Sequence, residues 1–94
     1  MMSEIPIDLS KVSKENIDKE ILRTGIIAEL DAISLYEQLA AATDNKDIKK
    51  IILDIAKEEK THVGEFQALL LELDKQQVEE LEAGRKEVEK ELGK

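Results

Sequence analysis

Apolar side chains recur every three or four residues along two long stretches of this chain. From Ser13 to Ala42 one stripe reads Leu22, Ile26, Glu29, Ile33, Tyr36, Ala40, and a second beside it reads Gly25, Ala28, Ala32, Leu35, Leu39, Ala42. This is the period of an α-helix that buries more than one narrow seam. After the break "ATDNKD", where Thr43, Asp44 and Asn45 favour turn or cap geometry, the pattern resumes as Ile48, Ile52, Ile55, Glu59, His62, Phe66, Leu69, Leu73. Asp74 and Gln77 then resemble a cap for a third, shorter helix, "KQQVEELEA". Gly84 is expected to end it, leaving "RKEVEKELGK" as a frayed segment. Nothing alternates with the period of two that a strand requires.

The expectation is one all-α domain over 1–94. Residues 1–12 form an arm, 13–73 an antiparallel two-helix hairpin, and 74–94 a short C-terminal helix and tail. A hairpin cannot cover two stripes per helix with one partner helix. Two copies are therefore expected to combine into a four-helix bundle.

Composition narrows the function. Fourteen Lys and Arg against twenty-two Asp and Glu give a net charge of −8, which repels phosphate backbones and anionic lipid and suits cations. With one Tyr, one Phe and no Trp there is little to stack on a base. There is no cysteine, hence no disulfide, thiolate metal site or thiol nucleophile. The apolar runs are too short to span a bilayer, and the reading is of a cytoplasmic protein that binds neither nucleic acid nor membrane.

The seams are polar at three places only: Glu29 in the first helix, Glu59 and His62 in the second. Burying unpaired carboxylates is costly, so these positions call for a partner. Asp44, near the centre of the connection, lies fifteen residues after Glu29 and fifteen before Glu59. Both helices rise equally per residue, so an antiparallel hairpin brings the two glutamates to one height, with His62 on the same face one turn on. Glu, and Glu-x-x-His, at one level is half of the ligand set of a di-iron carboxylate bundle. Two chains around a twofold axis supply the whole set, four glutamates and two histidines. The plain alternatives are a register-fixing seam glutamate and a satisfied core histidine. Tyr36, two turns from Glu29, reads equally as a core aromatic or a neighbour of the site, and Asp31 reads as a surface acid near its mouth.

"IIAELDAISLYEQLA" followed by "ILDIAKEEKTHVGEFQALLLELD" resembles the encapsulated ferritins, the two-helix branch of the ferritin-like superfamily, and looks closest to their archaeal type. The likeness runs from about Leu22 to Leu81, with Glu29, Tyr36, Glu59 and His62 at the family's spacing. It implies a homo-oligomeric ring of five dimers with a di-iron ferroxidase centre between two chains. Glu29, Glu59 and His62 would be the iron ligands, with Tyr36 close by. It also implies an encapsulin shell protein as partner and work inside an encapsulin nanocompartment. Two positions depart from the family pattern: Ala28 stands where an acidic residue precedes the first ligand, and Asp31 is one methylene shorter than the acidic residue of an iron access route. A Gly-Ser-Leu-like cargo peptide does not appear in "EKELGK".

The resulting expectation is an enzyme that oxidises Fe(II) for mineral storage. The alternatives are a non-enzymatic module locked as an oligomer by metal, and a rubrerythrin-like peroxide reductase. The latter usually relies on cysteine-ligated iron.

Overall fold

The computed structural model describes residues 8–94. The first seven residues of the expected arm lie outside the described residues. The rest of it forms a single 3₁₀ turn, Leu9–Lys11, whose first amide, Ser10 N–H, donates to Asp8 at 3.1 Å. Three helices follow: α1 (Ile17–Ala42), α2 (Lys46–Leu73) and α3 (Lys75–Leu92). No strand occurs among the described residues.

The start of α1 differs from expectation. The hairpin was expected from Ser13, but α1 begins at Ile17 after a turn. Ser13 Oγ accepts from the Asn16 side-chain amide at 3.1 Å, which uses the hydroxyl before it can meet a helix amide. The connection to α2 follows its sequence closely. Thr43 Oγ1 accepts from Asn45 N–H, and Asn45 Oδ1 accepts from Asp47 and Ile48 N–H at 3.0 and 3.1 Å, an N-cap that satisfies two orphan amides. Asp47 then sits in the first turn, where the helix dipole favours negative charge.

The helices α1 and α2 pack antiparallel. The α1 face buried against α2 is the stripe read from sequence, Leu22 through Ala40. On α2 the inward face is rotated relative to the expected seam. Ala56 and Leu70 are its buried residues, and Val63 lies between them on the same face, while Leu69 and Leu73 stay about half exposed. Small Ala40 and Ala56, each 2 % exposed, allow close approach. Gly25 serves the same end for an aromatic: a Cβ there would lie 3.1 Å from the Phe66 ring. Gly25→Leu is therefore expected to drive Phe66 from its seat at a cost of about 1–3 kcal/mol, seen as a lowered thermal midpoint. An unchanged midpoint would show that the ring has room to yield.

The third helix departs from the hairpin and packs mainly on α2 near the joint. Asp74 caps it, accepting from Gln77 N–H at 3.0 Å, and is clamped to α1 by Arg23 at 3.0 Å. The Gln77 amide and then the Arg23 guanidinium hold the Asp74 carboxyl below the usual aspartate range. A carboxyl whose folded pKa is depressed contributes stability above its unfolded pKa, near 4, and loses it as pH falls through the lowered folded value. Acidification from pH 5 to pH 2 is expected to release α3 from the hairpin in the native chain. Asp74→Asn should flatten that pH dependence of hydrogen exchange at the joint; an unchanged profile would show that the clamp does not hold α3.

Gly84 does not end α3, contrary to expectation. Arg85 bridges Glu82 at 2.6 Å and Glu89 one turn on, and the helix runs through to Leu92. These pairs offset the helix penalty of glycine, about 1 kcal/mol. The stop is Gly93, at φ 70°, whose N–H returns to Glu89 O at 2.8 Å.

Candidate metal centre

Glu29 projects from the middle of α1, and Glu59 and His62 from the facing level of α2. The antiparallel rise brings them together: one ligand atom from each lies within 4.8 Å of the other two. His62 Nδ1 stands 3.3 Å from Glu59 Oε2 and 3.6 Å from Glu29 Oε2. The first is a hydrogen bond within one helix turn; the second is too long to be one. Glu29 Oε2 is thus shut off from solvent with no hydrogen-bond partner. Both carboxylate side chains are 19 % exposed, whereas the imidazole is 46 % exposed and faces the open side of the hairpin.

This donor set fits a divalent cation. Two donors that share one ion at about 2.1 Å lie roughly 3–4 Å apart, close to the spacing found here. Carboxylate oxygens with one imidazole nitrogen suit iron or manganese better than copper. A cation would also give Glu29 Oε2 the partner that it lacks. One hairpin brings one imidazole and two carboxylates, short of the six ligands of a two-metal centre.

The other sequence-derived candidates lie apart. Tyr36 is half-buried on α1 two turns from Glu29 and does not line the cleft beside the three residues. Asp31 is half-buried on α1 and outside both the cluster and that cleft. Glu37 is paired with Lys60 at 3.1 Å across the two helices, while both stay half exposed. A cleft of about 240 Å³ opens beside the centre, lined by Glu29, His62, Glu65, Phe66 and Leu69. Glu65 was not singled out from sequence. Its spacing, three residues after His62, was the available signal.

Comparison with known proteins identifies the family of the fold. Residues 20–92 match the rubrerythrin family. The chain belongs to that family. Such ferritin-like proteins typically bind iron. The rubrerythrin-family fold is also seen in the crystal structure of an encapsulated ferritin domain from Pyrococcus furiosus. The two superpose with a TM-score of 0.85 at 50 % identity, over 100 % of this chain and 98 % of that one. A "Ferritin-like-encapsulin shell fusion protein" of the same organism is 60 % identical over 74 residues, 79 % of this chain and 21 % of that protein. An "Encapsulin nanocompartment cargo protein EncC" of Myxococcus xanthus is 41 % identical over 71 residues, 72 % of this chain and 55 % of that protein. The rubrerythrin-family chain thus spans about a fifth and about half of these two curated relatives.

Proposed function

We propose that this protein is a ferroxidase that oxidises Fe(II) at a centre built from two chains, as a step in iron storage within an encapsulin compartment. The observation that carries the reading is Glu29 Oε2, buried and without a hydrogen-bond partner beside Glu59 and His62. Iron is substrate here. Glu29 and Glu59 would neutralise it, and His62 Nδ1 would supply the nitrogen donor. The half-exposed imidazole on the open face lets a second copy bring its own set to the same place. Two Fe(II) ions, each giving one electron to dioxygen, would leave as Fe(III) toward mineral. Tyr36 would support the centre from two turns away.

The compartment rests on likeness to the Pyrococcus and Myxococcus proteins, whose names tie them to an encapsulin shell or its cargo, and the ring of five dimers on the resemblance to encapsulated ferritins alone. The activity reading separates from its rivals by experiment. Anaerobic Fe(II) loading followed by a pulse of dioxygen should consume oxygen with about one Fe(III) formed per electron accepted. Metal held without oxygen uptake would mark a structural site. Rapid turnover with hydrogen peroxide but not dioxygen would mark a peroxide reductase, for which this chain has no cysteine to ligate an electron-relay iron.

A further inference from the structure

Glu65 lies one turn beyond His62 on α2, and its carboxylate lines the cleft that opens beside Glu29 and His62. The wall of that cleft is otherwise apolar, formed by Phe66 and Leu69. Phe66 is held in place by its close seat on Gly25. The inner end of the cleft is Glu29, whose Oε2 lacks a hydrogen-bond partner; the outer end is Glu65, which is exposed on the single hairpin. Among the described residues no lysine or arginine lines the cleft. Among the described residues Glu65 takes part in no ion pair, unlike Glu20, Glu37, Glu82 and Glu89, each of which meets an arginine or lysine. Its nearest cation along α2, Lys60, is turned to Glu37. The sequence Glu59, His62, Glu65 therefore runs along one face of α2, from the enclosed centre to solvent.

We propose that Glu65 is the capture carboxylate of the centre: it takes Fe(II) from solvent at the mouth of the cleft and passes it inward to Glu29 and His62. The inference rests on the reading of Glu29, Glu59 and His62 as the iron centre. An exposed carboxylate cannot dehydrate an ion by itself, but it raises the local cation concentration at a rim with apolar walls, which speeds association more than it deepens final affinity. Asp31, the acid first considered for access, is absent from this cleft. Glu65 lines the same cleft as Glu29 and His62.

Anaerobic Co(II) binding to the full chain, followed by stopped-flow visible absorbance, tests this without any turnover. Glu65→Gln should lower the second-order binding rate about threefold to tenfold at low ionic strength, with the difference shrinking as salt rises. Glu65→Lys should lower it further. The bands reached at saturation should keep the intensity and stoichiometry of the native chain. Glu87→Gln, an equal charge change on the distant face of α3, should leave the rate alone. An unchanged rate in both Glu65 variants would overturn the proposal. So would a loss of bound Co(II) at saturation, which would make Glu65 a ligand of the centre itself. Native chain that shows no Co(II) bands sensitive to Glu59→Ala or His62→Ala would instead sink the reading of the centre.

Discussion

Glu59→Ala and His62→Ala are each expected to abolish rapid Fe(II) oxidation while leaving the chain helical. Each removes a donor from every centre, and in a twofold assembly each removes it twice. Loss of mere hydrogen-bond support to a metal ligand typically costs about 10–100-fold in affinity or activity, so loss of the ligand should cost at least that. The fold should tolerate both changes. His62 is half exposed, and alanine is the better helix former. Glu59 and Glu29 hold two carboxylates close to one another, and like charges at that range repel. Glu59→Ala is therefore expected to leave the metal-free chain as stable as the native one or more so. Circular dichroism and a thermal melt check the fold, and stopped-flow absorbance checks the chemistry. Oxidation at the native rate in both variants would end the assignment of the centre to these residues.

The fold was legible because its determinants are local. Apolar spacing marks α1 and α2, Asn45 marks the start of α2, and Asp74 marks the joint to α3. The grouping of Glu29, Glu59 and His62 was legible from a single count, since equal distance from the connection forces equal height in an antiparallel pair. What the sequence misled on has physical causes. The α2 seam was read through Ile52, Ile55, Glu59, His62, Phe66 and Leu69; Ile52, Glu59 and Phe66 stay half-buried, but Ala56 and Leu70 replace Ile55 and Leu69 as its most buried positions, a small rotation. A helix with apolar residues on adjacent stripes does not announce which of them faces its hairpin partner. Small Ala56 decided it by allowing close approach. The rotation puts His62 on the open side, where a second chain is expected. Gly84 read as a stop because its propensity is poor, yet Arg85 with Glu82 and Glu89 spans it. Glu65 was overlooked because, on a chain this acidic, one more exposed glutamate carries no signal until a cleft gives it a destination.

At micromolar concentration the chain is expected to be a dimer or larger, and Fe(II) is expected to push assembly further. Its accessible surface is 7412 Å², whereas a compact monomer of 10.6 kDa exposes about 5,500 Å². Its radius of gyration is 16.7 Å, against about 12 Å for a compact chain of this length. The surplus, roughly 1,900 Å², exceeds two patches of the size one partner gives to a standard interface, about 800 Å² each. Among the described residues only Ala40, Ala56 and Leu70 are buried, too few to stabilise a monomer of this shape. Two separate apolar surfaces are available for the surplus. One is the open side of the hairpin around the metal centre. The other is the face of α3 that carries Val78, Leu81, Val88 and Leu92, which are 44–62 % exposed. Iron shared between two chains binds only the assembled state and so stabilises it by mass action. Placing charge on the second surface should separate the two contacts. Leu81→Glu combined with Val88→Glu is expected to stop assembly at dimers that still oxidise iron, each at a rate close to that of a native dimer unit. Native mass spectrometry with and without anaerobic Fe(II) reads both outcomes. A folded monomer that ignores Fe(II) would refute the two-chain centre, and native assembly size in the double variant would refute the role of α3.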